Sequence, residues 1–216
     1  QELEYQPHAL ARGLASKRSR IIALQFPTPE RGLGITELEF VTGAADAAVE
    51  YGYNLVLWSS QFHDSQNFAQ LTQQGLVDGV ILMEVREHDP RVELLRNGDI
   101  PFQLIGRCED LHNIHYVDVD FEQTLRKALG HLLGLGHRQI AFLNQSEQEF
   151  ATGYGPSVRA QLAFEQAMQD HKLQALCVYA SASPQSGYDA MKQLLAQNPQ
   201  ISALISMNER AISGIL

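Results

Sequence analysis

The chain has 216 residues, 44% of them hydrophobic and 19% charged, with a formal charge of −9 at pH 7. It is long enough to bury one large core or two small ones, its composition is that of an ordinary water-soluble protein, and its acidic balance argues against a surface built throughout to bind nucleic acid. Two cysteines, Cys108 and Cys177, make neither a metal motif nor a disulfide framework, which suits a reducing cytoplasm, and no apolar run approaches a membrane span or a signal-peptide core.

Residues 9–24 read ALARGLASKRSRIIAL. Ala9, Leu10, Ala11, Leu14 and Ala15 favour a helix, Gly13 weakens it, and a helix this short is marginal in water unless something orders it. Arg12, Lys17, Arg18 and Arg20 against Glu2 and Glu4 give residues 1–20 a local charge of +2 and leave −11 on the rest. A basic tip on an acidic body suits contact with DNA at one end only; a solvated basic tail has the same composition.

From there strand-like and helix-like patterns alternate. Strands are predicted over Arg20–Phe26, Tyr53–Ser60, Val77–Met83, Phe102–Gly106, Tyr116–Val119, Gln139–Asn144, Leu176–Ala180 and Ala203–Met207. Phe40, Ala44, Ala48 and Tyr51 make one helical face, closed by Gly52. Asp64 can cap a helix running to Gln74, with Gly75 after it. Phe121, Leu125, Leu129 and Leu132/Leu133 make another face, stopped by Gly136. The polar stretch Gln145–Ser157 reads as a loop. Strands alternating with helices imply parallel sheets with right-handed crossovers, and runs such as IIAL and IAFL fit strands covered on both faces.

Ligands of such sheets bind beyond the carboxyl ends of the strands. Those ends carry Phe26-Pro27-Thr28, Trp58-Ser59-Ser60, Glu84, Gly106-Arg107, Asp118-Val119-Asp120, Asn144-Gln145 and Asn208-Glu209, a polar set able to hold a small hydroxylated ligand. Asp120 and Asn208 would equally serve as helix caps. Catalytic patterns are missing: no Walker loop, no complete G-x-G-x-x-G, no G-x-S-x-G, no H-E-x-x-H. Asp118 and Asp120 alternate along an extended segment, so they cannot act as a carboxylate dyad. A binder is favoured over an enzyme, with no cofactor and no metal.

The hinge-like stretch closely resembles the hinge helix of LacI-type transcription regulators. The likeness continues through IIALQFPTP…ELEFVTGAADAAVEYGYNLVL, VDGVILM at Val77–Met83, Ile100-Pro101…Leu104-Ile105-Gly106-Arg107, YVDVDF…HLLGLGHRQIAFL from Tyr116 to Leu143, AFEQAM and ALISMNERAISGIL. Each motif alone is unspecific; their order and spacing together are not. The resemblance implies an α/β fold of two Rossmann-like lobes with parallel sheets, as in type I periplasmic sugar-binding proteins, holding an effector in the cleft between them. It implies residues 1–19 as hinge, 20–118 as the N-terminal lobe and 119–216 as an incomplete C-terminal lobe. The family's helix-turn-helix head has no counterpart here, and family chains run on past the position of Leu216.

It further implies a homodimer, a sugar-like effector, operator DNA as partner and a cytoplasmic site of action. Asp120 falls on the family's effector-contacting aspartate, and Thr36 and Glu37 fall where helix one lines the cleft. Ser59, Arg107, Asn144 and Asn208 complete the expected effector contacts. Leu14 falls on the leucine that wedges into the DNA minor groove, with Ala11, Ala15 and Lys17 beside it. The family's effector-clamping arginine maps to Ala160; Arg159, one residue away, is expected to fill the role. A transport-system solute-binding protein is the alternative on the same fold.

Overall fold

A computed structural model of the chain describes residues 18–27, 34–60 and 75–216. The predicted hinge residues Ala11, Leu14, Ala15 and Lys17, and the helix predicted from Asp64 to Gln74, lie outside the described residues. Two compact units emerge: among the described residues, one holds those up to 85 together with 89–105 and 110–117, the other 86–88, 106–109 and 118–216.

The first unit is, among the described residues, a parallel sheet of five strands in the order β2-β1-β3-β4-β5. Its strands are β1 (Ile21–Pro27), β2 (Asn54–Ser60), β3 (Gly79–Leu82), β4 (Phe102–Ile105) and β5 (Tyr116–Val117). Interior β1 buries Ala23 and Leu24 completely, whereas edge strand β2 leaves Val56 and Leu57 half exposed. Continuous apolar runs therefore mean burial for β1 but not for β2, because an edge strand has one ladder and less cover. Helix α1 (Ile35–Glu50) lays Phe40, Val41 and Ala44 on Leu24, Phe26 and Met83. Tyr51, expected on that face, is 76% exposed: the helix ends before it and Tyr51 is its C-cap, followed by Gly52 at φ 74°.

The Asp78-Gly79 pair fixes the start of β1. Asp78 accepts from Ser19 N at 2.7 Å, Ser19 Oγ at 2.8 Å and Arg20 N at 3.0 Å. A Cβ on Gly79 would come within 3.3 Å of Ile22 Cδ1 and 3.4 Å of the Pro101 carbonyl, so neighbouring strands leave little room for a side chain. Burial pushes the Asp78 carboxyl up, but the Ser19 and Arg20 bonds outweigh it and hold it below the usual carboxylate value. A depressed carboxyl stabilises above its unfolded value and loses that contribution as pH falls through its folded one. Asp78→Ala is expected to cost about 1 kcal/mol at neutral pH, and the difference from the parent in urea unfolding should shrink at acid pH.

Helix α2 (Pro90–Arg96) is too short to show a period; the Asp89 N-cap and Pro90 mark its start. Behind it Arg91 is buried against Asp89 at 2.7 Å and donates to Gln25 Oε1 and the Met83 and Glu84 carbonyls.

The second unit is a parallel sheet of three strands among the described residues, in the order β7 (Leu176–Tyr179), β6 (Ile140–Asn144), β8 (Ala203–Ser206). All five residues of β6 are buried. Its core joins Leu125 and Leu129 of α3 (Phe121–Gly134) to Ala160, Ala163, Phe164, Ala167 and Met168 of the longer helix at Gly155–Asp170, with Phe142 stacked on Phe164 at 5.3 Å. The α3 face and its Gly136 stop, at φ 94°, are as the sequence predicts. The predicted loop Gln145–Ser157 is corrected. It contains α4 (Glu147–Ala151), opened by a capping box between Ser146 and Glu149, and the next helix, α5, begins at Gly155. Helix α6 (Pro184–Gln197) meets α7 (Ile212–Ile215) so closely that Cβ atoms on Gly187 and Gly214 would clash with the Ala211 and Pro184 carbonyls. Among the described residues no helix is long and apolar enough to cross a membrane.

Candidate functional site

The second unit concentrates buried polar chemistry at the carboxyl end of β6. Asn144, the last residue of that strand, is fully buried. Its Nδ2 donates to the Ser157 carbonyl at 3.1 Å and to Gln161 Oε1 at 2.9 Å; its Oδ1 accepts from Ser157 Oγ at 2.6 Å and Gln145 N at 2.8 Å. That fills the two donors and two acceptor directions of a carboxamide. The effect is to clamp the first turns of α5, and so to set the direction of Arg159, two residues past Ser157.

Arg159 is 8% exposed. Its Nη1 donates to Glu87 Oε1 at 2.6 Å and to the Arg107 carbonyl at 2.9 Å, and its Nη2 lies 3.0 Å from Asp118 Oδ2. The Phe121 ring sits 5.8 Å below the guanidinium carbon, within reach of a cation–π attraction. Arg107 adds its own Nε at 3.6 Å from Asp118. Glu87, Arg107 and Asp118 come from the three separate passages of chain that enter this unit: 86–88, 106–109 and 118 onward. One side chain thus gathers all three.

The cluster is not saturated. Arg159 Nε and Nη2 and Asp118 Oδ2 are buried without a hydrogen-bond partner, as is Gln145 Oε1 one residue beyond β6. Buried polar atoms of a folded protein are nearly always paired. Leftover donors and acceptors at the carboxyl edge of a parallel sheet are what a small polar ligand would satisfy.

The predicted contacts divide around this cluster. Arg107 and Arg159 meet in it. Ala160, where the resemblance places the family's arginine, is fully buried in the core with Phe164, and the guanidinium of the next residue back, Arg159, is the one in the cluster. Asp120 is exposed and caps α3, accepting from Gln123 N at 2.9 Å through Oδ1. Asn144 has no hydrogen-bonding capacity left and acts as a clamp. Asn208 is likewise buried; its Nδ2 donates to the Ala180 carbonyl at 2.7 Å and its Oδ1 accepts from Ala211 N, tying the end of β8 to the end of β7. Thr36 and Glu37 stand in the first turn of α1, and Ser59 is exposed near the end of β2, all in the first unit. Glu87 is the residue that sequence reasoning missed; Asp118 and Gln145 belong to the polar set at the strand ends. Asp118 makes no dyad with Asp120, as its spacing predicts; its ion partners are Arg159 and Arg107.

Beyond Asn144 the network runs through Gln161, which accepts from the Tyr179 hydroxyl at 3.0 Å and donates to Glu165 at 2.9 Å. Burial, reinforced by the Glu165 charge and its bond to the thiol, pushes Cys177 up to about 12. The thiolate being the nucleophile, Cys177 should resist iodoacetamide at pH 8 in the folded protein and alkylate fully in urea, read by peptide mass. The same shift makes folding lose stability above about pH 9, where the unfolded thiol ionises and the folded one does not.

Residues 38–216 match the family model described as periplasmic binding proteins and sugar binding domain of LacI family. The chain is similar to catabolite control protein A of Priestia megaterium, 26% identical over all of this chain and 64% of the relative. It is similar also to the transcriptional regulator AglR of Rhizobium meliloti, 30% identical over 99% of this chain and 61% of the relative. It spans about three-fifths of the length of such curated relatives. Among solved structures, a transcriptional regulator from Yersinia pestis superimposes with a TM-score of 0.79 at 24% identity, over 92% of this chain and 72% of that one. The CelR–cellobiose complex superimposes with a TM-score of 0.76 at 21% identity, over 98% and 70%. These likenesses agree with the parallel α/β architecture described above. The chain therefore belongs to the family of periplasmic binding proteins and LacI-type sugar-binding domains.

Proposed function

We propose that this chain is the effector-sensing part of a ligand-responsive transcriptional repressor, working in the cytoplasm as a homodimer on operator DNA. The observation that carries the reading is the Arg159 cluster: a buried guanidinium fixed by Glu87 and Arg107, with hydrogen-bonding atoms left over beside Asp118. Its relatives named above are regulators, which favours this reading over a transport protein of the same fold.

In this reading Arg159 and Arg107 face the effector, and Asp120 offers it the carboxylate oxygen that does not cap α3. Thr36 and Glu37 are effector contacts by resemblance and Ser59 by its place at the carboxyl end of β2, while Asn144 and Asn208 hold the scaffold. The DNA end is assigned to Ala11, Leu14, Ala15 and Lys17, with Leu14 as a minor-groove wedge. Effector and DNA are coupled if one conformation alone lets paired hinges fold, typically by about 1–3 kcal/mol. The effector proposed is a sugar or sugar derivative, because carboxylate and guanidinium together bind hydroxyls.

A thermal-shift screen of mono- and disaccharides tests this. At least one sugar should raise the melting temperature saturably, since a ligand at 100 times its Kd adds roughly 2.7 kcal/mol of stability. No shift with any of them overturns the sugar reading.

A further inference from the structure

We infer that the cluster around Arg159 selects a neutral, hydroxyl-bearing ligand and rejects its phosphate ester; this rests on the effector reading of the site. The unsatisfied atoms are of two kinds. Nε and Nη2 of Arg159 can only donate, and Oδ2 of Asp118 can only accept. Nη2 and Oδ2 form an ion pair at 3.0 Å whose angles are not those of a hydrogen bond, so the charges attract without a directed bond. A hydroxyl serves both at once, accepting from the guanidinium and donating to the carboxylate. A phosphate oxygen only accepts, so it leaves Asp118 unsatisfied.

Charge points the same way. Arg159 and Arg107 face Glu87 and Asp118, and the formal charges cancel. The best-placed cationic hydrogens, on Arg159 Nη1, are already given to Glu87 and the Arg107 carbonyl. A phosphate would have to displace a carboxylate from the arginine and would then lie against it as a like charge. The start of α3, three residues from Asp118, does not compensate. Asp120 closes it through Gln123 N, and Glu122 adds a further negative charge in its first turn. Arg107, with its side chain 47% exposed and its Nε 3.6 Å from Asp118 Oδ2, is the neighbour best able to move aside, since exposed side chains change rotamer on a picosecond to nanosecond scale.

Titration calorimetry on the protein with glucose, galactose, maltose and cellobiose, each beside its 6-phosphate or 6′-phosphate, tests the inference. For whichever sugar binds, the phosphate should bind at least about tenfold more weakly. Asp118→Asn and Glu87→Gln should each narrow that gap, because each removes a repelling charge while keeping the shape. Phosphate binding as tight as the free sugar, or a gap unchanged in both variants, overturns the selectivity and leaves the effector site standing. Binding of neither form to the parent overturns both. Should the variants fail to fold, the comparison of free and phosphorylated sugar on the parent decides alone.

Discussion

Arg159→Met is expected to lower the unfolding free energy by about 3–5 kcal/mol, the cost of removing one partner from a buried ion pair. The reason lies in what remains. Glu87 and Asp118, with side chains 24% and 10% exposed, keep their charges in a poorly hydrated setting with the guanidinium gone. Methionine replaces most of the stem, so loss of packing against Phe121 is a small part. The effect should not equal the worth of the pair itself: adding Glu87→Gln and Asp118→Asn to Arg159→Met should recover part of the loss, because the stranded charges go too. Urea unfolding of the single and triple variants reads both numbers. A single-variant loss below 1 kcal/mol would mean that water already reaches the carboxylates and that the cluster is no buried hub.

The second large effect is expected at Asn144, which touches no ligand in this account. Asn144→Ala removes four hydrogen bonds at a residue of 0% exposure and strands the Ser157 hydroxyl and the Gln145 amide. Each buried orphan costs about 1–3 kcal/mol, so a loss of about 3 kcal/mol in urea unfolding is expected, with the denaturant slope unchanged. The functional consequence should exceed what stability alone explains. Asn144 holds the first turns of α5, and positioning groups of this kind set the precision of the residue they support. Sugar affinity should therefore fall in the folded variant even though Arg159 is intact. Full retention of affinity would show that α5 is placed by its apolar face alone.

Much of this fold is legible in the residues. The Phe121-Leu125-Leu129 spacing and the IAFL run describe α3 and β6 because both elements bury a regular face, which is the condition under which periodicity speaks. Asp78-Gly79 is legible as a motif, and its physical content is now plain: three hydrogen bonds at the entry to β1 and a position with little room for a side chain. Element ends were off by one or two residues, as frayed boundaries dictate. Helix α4 escaped because five residues cannot show a period; its only signal was Ser146 followed three positions later by Glu149. The site was half legible. Arg159 could be proposed by its place in the order of motifs, but Glu87 lies 72 positions away and no local rule connects them. Asp120 and Asn208 drew attention as polar residues at strand ends, where capping and ligand contact demand the same chemistry.

The central claim is that Arg159 is the group through which this unit holds its effector. Arg159→Lys tests it most directly, since lysine keeps the charge beside Glu87 and Asp118 but loses the planar fork and the Nε donor. Calorimetric titration of parent and variant with the sugar that binds the parent should show at least about a tenfold weaker association in the variant, with thermal unfolding confirming that both are folded. Equal affinity in two folded proteins would contradict the claim and leave Arg159 a tie among three passages of chain and nothing more.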